Sequence, residues 1–146
     1  MDDLLSPAFR ALSAHLGQDP LRVQGPGGNT SIKSGNVMWI KASGTELADA
    51  ETKPIFVAVD RNAAKAEAGG AGDGTCKATV LDPANKLRPS IETTFHAALD
   101  WSVVAHTHSI ATLVHAISPE GRKIAVEKLA ALPAVFVPYA KPGLPL

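Results

Sequence analysis

Residues 25–44, GPGGNTSIKSGNVMWIKASG, place two β-rich runs between glycine-containing turns. The runs Thr30–Lys33 and Val37–Ile40 are joined by Ser34-Gly35-Asn36, a turn composition that predicts an antiparallel hairpin. The glycines at 25, 27 and 28 shape the chain into this hairpin, and they also allow backbone to approach a ligand closely. We expect Trp39 to pack in the core and the lysines at 33 and 41 to be solvated strand ends.

Outside the hairpin, apolar periodicity and capping residues predict the other elements. The first helix is capped by Ser6, starts at Pro7 and ends at Gly17. Further helices are predicted after Ser90, after Ser109 and from Pro119 to Leu132, with strands at 54–60, 102–109 and 134–140 and a loop at 69–74. Mixed helices and strands favour a single layered α/β (α+β) domain over residues 1–146.

Composition excludes several classes of protein. Lys plus Arg and Asp plus Glu both number 14, so the net charge is zero and nucleic acid is not an expected partner. Cys76 is the only cysteine, which rules out an internal disulfide and fits a reducing compartment. No apolar run approaches the ~20 residues of a membrane span, and the N-terminus is acidic. We therefore expect a soluble, cytoplasmic protein.

The stretch VAHTHS, residues 104–109, places two histidines one residue apart in a predicted strand. Side chains alternate along a strand, so His106 and His108 are expected on one face. Two neutral imidazoles at this spacing can chelate a divalent metal ion, with zinc the commonest guest. The same pair can also be two polar side chains on an exposed face, since a buried metal site needs three or four ligands.

The stretch RPSIETTFH, residues 88–96, predicts the start of a helix with an acidic residue near its beginning. Ser90 is a suitable N-cap, and Glu92 then falls in the first turn, four residues before His96. Such a glutamate can be a solvated carboxylate favoured by the helix dipole, or it can act as an acid or base. His96, on the buried side of the helix, is expected to pack or to support other residues.

Three motifs, GGNTS, PSIETTFH and VAHTHS, occur in an order that resembles the class II aldolase/adducin N-terminal domain family. Its typical members are fuculose-phosphate and rhamnulose-phosphate aldolases, and the resemblance runs from about Arg22 to Gly143. The resemblance implies a central, mostly antiparallel sheet flanked by helices. It also implies a homotetramer that acts on small sugar phosphates.

The resemblance assigns a role to each motif residue. His106 and His108 look like ligands of a divalent metal ion, most simply Zn, and Glu92 looks like the catalytic acid/base. The expected phosphate ligands are Asn29, Ser43, Gly44 and Ser90. The implied reaction is reversible retro-aldol cleavage of a ketose 1-phosphate to dihydroxyacetone phosphate and an aldehyde, a carbon–carbon lyase reaction in which the metal polarises a ketone.

The sequence departs from the family pattern at two points. The third metal-ligating histidine would fall beyond Leu146, because no histidine follows His115. We therefore expect the C-terminal part of the family domain to be absent, in a fragment, a shortened relative, or a chain whose site is completed by another chain or by water. Ile91 stands where some sugar-phosphate aldolases have a second serine. Epimerase or dehydratase activity, or a non-catalytic adducin-like interaction module, are the alternatives.

Overall fold

The computed structural model describes residues 4–141 of the 146-residue chain. Within this range one antiparallel sheet has the strand order β3-β2-β1-β4. The strands are β1 (Asn29–Ser34), β2 (Val37–Lys41), β3 (Phe56–Asp60) and β4 (Val103–His106). The α-helices are α1 (Pro7–Gln18), α2 (Arg61–Ala66), α3 (Thr93–Ala98), α4 (Ile110–Ala116) and α5 (Pro119–Leu129). This arrangement confirms the expected mixed α/β fold with an antiparallel sheet flanked by helices.

The central hairpin forms as its turn residues predict. Ser34 lies opposite Val37, and Gly35 adopts the left-handed conformation, with φ of 55°, that the tight turn requires. The first helix is also as expected, because the Ser6 Oγ accepts a hydrogen bond from the Phe9 N–H at 3.3 Å and Pro7 begins the helix.

Two hydrophobic clusters cover the two faces of the sheet. On the α1 face, Phe9 packs on Phe56 with ring centroids 5.2 Å apart, and Trp39 packs against this cluster. On the other face, Met38 and its strand neighbours pack with Ala64 of α2 and Ala97 of α3. Alternate residues of β2 therefore enter different clusters, as the two-residue period of a strand requires.

Strand β1 carries polar side chains on both faces, and the buried ones are hydrogen-bonded to neighbouring elements. Thr30 Oγ1 lies 2.7 Å from the Ser13 Oγ of α1. On the opposite face, Ser31 Oγ lies 2.8 Å from the His96 Nδ1 of α3, and Lys33 Nζ donates to the carbonyls of Leu99 and Trp101 at 2.9 Å each. Helix α3 and the segment after it are thus attached to β1 by hydrogen bonds.

The expectation that Lys33 and Lys41 are solvated strand ends is wrong. They are only 6% and 2% exposed, respectively. Burial lowers the pKa of Lys33 to about 8, and the neighbouring Arg61 contributes in the same direction. Both ammonium groups are accommodated by backbone carbonyls, which supply the acceptors that water would otherwise provide.

Several predicted elements differ from the structure. Residues 134–140 form no strand, because no described strand lies beside them; Val135 and Tyr139 are 87% and 80% exposed. Strand β4 ends at His106, so only part of the predicted strand 102–109 forms. Helix α2 was not predicted, and the helical structure that follows it continues to Ala71, which includes the start of the predicted loop at 69–74.

The C-terminal helices pack mainly on each other. They begin where Ser109 and Pro119 predict, and α5 ends at Leu129 rather than at Leu132. Many apolar side chains of residues 110–141 remain exposed, for example Ile117 at 80% and Val114 at 58%. None of the helices within residues 4–141 is long and apolar enough to cross a membrane.

Candidate metal-binding and catalytic cavity

A cavity of about 410 Å³ lies where the two glycine-containing turns, the start of β1 and the end of β4 meet. Every site residue predicted from the sequence lines it. The lining residues are Pro26, Gly27, Gly28, Asn29, Lys41, Ser43, Gly44, Ser90, Ile91, Glu92, His106 and His108. Segments that are far apart in sequence thus converge on a single concave surface.

The two histidines reach the cavity by different routes. His106 is the last residue of β4 and lies opposite Asn29 in the sheet register. His108 lies beyond the strand, where its N–H donates to the Arg22 carbonyl at 2.8 Å. The strand-face argument therefore does not apply to His108, yet the two rings still lie together, with centroids 4.8 Å apart.

Two glycines permit this close approach. A Cβ added to Gly27 would lie 2.9 Å from the His108 Nδ1, so any larger residue would displace the imidazole. Gly28 has a φ of 62°, and its Cβ would lie 2.8 Å from the His106 carbonyl oxygen. These glycines shape the turn and also make room for the chain segment that carries the two histidines.

Glu92 is held by two donors at the same oxygen. Its Oε2 accepts from Asn29 Nδ2 and from His106 Nδ1, each at 2.6 Å. With the Nδ1 proton donated to a carboxylate, the His106 Nε2 carries the lone pair that a metal ion requires. The Glu92 side chain is 12% exposed, and the His106 side chain 29%.

The local structure around Glu92 differs from the predicted cap. Helix α3 begins at Thr93, so Glu92 occupies the N-cap position and Ser90 precedes the helix. Ser90 Oγ accepts from the Glu92 N–H at 3.3 Å and from Asn29 Nδ2 at 3.2 Å. Ser90 therefore holds the backbone of Glu92 in a turn ahead of the helix. The segment that carries Ser90 is itself attached to the sheet, because Pro89 forms a bridge with Ala42 at the end of β2.

The carboxyl group of Glu92 stays ionised despite its position. Burial alone would raise its pKa, but the hydrogen bonds from His106 and Asn29 outweigh burial and hold the pKa below its ordinary value. His96 is completely buried one turn further along α3, and burial lowers its pKa to about 4. Its imidazole is therefore neutral near pH 7.

Lys41 is a cavity residue that the sequence interpretation missed. Its Nζ donates to the carbonyls of Pro26 at 3.0 Å, Ala42 at 3.4 Å and Thr45 at 2.6 Å, which ties the two turns together. Burial lowers the pKa of Lys41 to about 8, while the Glu92 carboxylate acts in the opposite direction. The apolar residues on both sides of Lys41 were the sequence signal for its burial.

Two imidazoles suit a divalent metal ion, but they do not complete a coordination shell. Among residues 4–141 no group of three or more His, Cys, Asp or Glu side chains is arranged to hold a metal ion. His115 lies on α4 beside a different cavity, lined also by Phe136. The fit to a metal ion is thus partial, because zinc sites take at least three protein ligands.

Comparison with known proteins gives consistent results. A solved structure, the N-terminal class II aldolase domain of a conserved protein from Thermoplasma acidophilum, is similar with a TM-score of 0.75 and 28% identity. The match covers 92% of this chain and 68% of that one. The uncharacterized oxidoreductase YuxG of Bacillus subtilis (strain 168) is 31% identical over an alignment 148 positions long, which covers 90% of this chain.

The chain spans only 21% of the length of the Bacillus relative. The family model for the class II aldolase and adducin N-terminal domain matches residues 10–146, nearly the whole chain. The order of the three sequence motifs and the antiparallel sheet agree with this match. The protein therefore belongs to the class II aldolase and adducin N-terminal domain family.

Proposed function

We propose that the protein is a metal-dependent carbon–carbon lyase that reversibly cleaves a ketose 1-phosphate to dihydroxyacetone phosphate and an aldehyde. One observation carries this proposal: the Glu92 carboxylate and the His106 and His108 imidazoles open on the same 410 Å³ cavity. Family membership supports a lyase of this general type. The oxidoreductase name of the Bacillus relative belongs to a much longer protein, of which this chain spans 21%.

Glu92 is the proposed acid/base. Its Oε2 is engaged by Asn29 and His106, so Oε1 is the oxygen available to take a proton from a bound substrate and return it. His106 and His108 would hold the metal ion, which would act as a Lewis acid on a substrate carbonyl. The remaining ligands must come from water, substrate or groups other than residues 4–141.

Ser43, Gly44 and Ser90 are proposed to bind the substrate phosphate. All three line the cavity, and the Ser90 hydroxyl retains its own hydrogen to donate, because its oxygen is the acceptor in its bonds with Asn29 and Glu92. Asn29 is in a different situation. Its two amide hydrogens point to Ser90 and Glu92, so a phosphate role for Asn29 requires one of these bonds to break.

A non-catalytic interaction module is the second candidate function. The incomplete metal-ligand set within residues 4–141 favours it. Self-association is proposed in both cases, as a homotetramer by family resemblance, and the exposed apolar side chains of α4 and α5 support an interface there. That residues 1–146 form a single domain, and that the protein is cytoplasmic, remain predictions.

The test is product analysis on protein loaded with zinc, manganese or cobalt and incubated with a panel of ketose 1-phosphates. The proposal requires release of dihydroxyacetone phosphate, its loss in Glu92→Gln, and its retention in Glu51→Gln, a control at an exposed glutamate. A changed sugar phosphate without a three-carbon product would instead indicate an epimerase or dehydratase. No turnover with any metal would favour the interaction module.

A further inference from the structure

A second cavity of about 270 Å³ adjoins the candidate site. Ser43 and Ile91 line both cavities, so they form the shared wall. The new side is lined by Arg88, Lys77 and the loop around Thr75. None of these residues has a role in the site described above.

The backbone that forms the shared wall is fixed. The Ser43 N–H donates to the Arg88 carbonyl at 2.9 Å, and Ala42 forms a bridge with Pro89. On the far side, the Cys76 N–H donates to the buried Glu67 Oε2 at 3.0 Å, which holds the loop before Lys77. The cavity is therefore bounded by segments that are attached to the core and not by a free loop alone.

The charged side chains that line this cavity are two cations and one carboxylate, and the cations can bind an anion. Arg88 and Lys77 form no ion pair with any carboxylate of residues 4–141. Asp73 also lines the cavity, but its Oδ1 accepts from the Thr75 N–H at 2.8 Å and from the Thr75 hydroxyl at 2.6 Å. These hydrogen bonds and, to a smaller extent, the nearby Lys77 charge lower the pKa of Asp73. With Asp73 ionised, the two cations and one carboxylate leave the lining with a net charge of plus one.

The first cavity has no comparable charge to offer an anion. The Lys41 ammonium directs its hydrogens to three backbone carbonyls, and both amide hydrogens of Asn29 are engaged. The Ile91 side chain supplies no donor. A phosphate dianion on the shared wall would meet the Ser43 and Ser90 hydroxyls on one side, and the available cations lie on the other.

We propose that Arg88 and Lys77 form an anion subsite that recognises the phosphate group of the substrate across the Ser43–Ile91 wall. This inference rests on the proposed function for the identity of the substrate, but binding of the phosphate group is separate from turnover. The planar guanidinium of Arg88 can donate two parallel hydrogen bonds to phosphate oxygens, and Lys77 adds a point charge.

The test is calorimetric titration of the purified protein with inorganic phosphate. Arg88→Gln is expected to weaken binding by about tenfold or more, as loss of a hydrogen bond to a charged group does. Lys77→Gln should weaken it less, and Arg88→Lys should fall between Arg88→Gln and the wild type. Arg122→Gln removes the same charge from exposed α5, outside both cavities, and should bind phosphate like the wild type.

Equal phosphate affinity in the wild type, Arg88→Gln and Lys77→Gln would overturn the subsite, as would absence of phosphate binding to the wild type. Circular dichroism checks folding, and Lys77→Gln alone decides the matter if Arg88→Gln does not fold. Phosphate binding that depends on Arg88, without cleavage of any ketose phosphate, would refute the lyase and leave the subsite standing. If the wild type cleaves a ketose phosphate, Glu92→Gln does not, and Arg88→Gln binds phosphate like the wild type, the lyase is supported and the subsite is refuted.

Discussion

Replacing Asn29 with alanine separates two roles for this residue. The resemblance to sugar-phosphate aldolases assigns Asn29 to the phosphate. That role predicts that Asn29→Ala raises the KM of the phosphorylated substrate far more than the KM of its dephosphorylated analogue. In the structure the Asn29 amide instead donates to Glu92 Oε2 at 2.6 Å, from a residue only 5% exposed. We therefore expect the main loss to be in kcat.

The magnitude follows from the bond that is removed. A hydrogen bond to a charged group contributes about 1.5–3 kcal/mol, and a similar loss in the transition state lowers kcat by about 10- to 150-fold. This loss in kcat requires that Glu92 keep its position in order to transfer the proton. The KM values for phosphorylated and dephosphorylated ketoses should change by similar factors, since neither substrate loses a direct contact.

The matched control is Asn36→Ala. Asn36 Nδ2 also donates to a carboxylate, the Asp60 Oδ2 at 2.8 Å, but in the exposed hairpin turn away from the cavity. Its replacement should leave kcat unchanged. A rise in KM for the phosphorylated substrate alone, with kcat retained in Asn29→Ala, would refute the positioning role and return Asn29 to the phosphate.

Three further predictions concern metal binding, pH and assembly. Metal analysis by mass spectrometry should find about one divalent ion per chain and none in His108→Ala; equal content in both proteins would remove His108 as a ligand. The His96 pKa of about 4 lies below its ordinary 6.5, so an unfolded chain binds a proton in this window that the folded chain does not. The free energy of unfolding should therefore fall by about 3 kcal/mol as the pH drops from 6.5 through 4, and His96→Phe should lose this dependence in urea titrations; an unchanged slope would contradict it. Light scattering should give a mass above the monomer that decreases in Ile117→Lys but not in Leu12→Lys on α1; a monomeric wild type would contradict the interface.

Sequence patterns predicted the elements whose signals are local. Helix α1 has its cap and its proline within two adjacent residues, and the central hairpin has its turn in the same stretch as both strands. Residues 134–140 have equally strong β propensity, but a strand also needs a neighbouring edge, which sequence composition does not reveal. Strand β4 ends at His106 for the same reason. Its partner strand β1 begins at Asn29, directly opposite His106, so no neighbouring edge continues beyond that point.

The candidate site was predictable as a set of residues but not as a set of contacts. The order of the three motifs predicted that Glu92, His106 and His108 belong to one site. The bond between Asn29 and Glu92 spans 63 residues, and no local pattern indicates it. Lys41 was misread for a related reason, since its three acceptors are carbonyls that only the folded turns bring together.

The position of Glu92 depends on the whole contact between β1 and the segment that contains α3. Along one face of β1, Asn29 bonds to Glu92, Ser31 to His96, and Lys33 to the carbonyls of Leu99 and Trp101. These contacts are spaced at two residues on the strand, so they act on one side of α3 and resist its rotation. An apolar interface would allow α3 to slide by small amounts, whereas buried polar groups lose their partners when they move. The polar face of β1 therefore fixes the carboxylate beside His106 at the cavity.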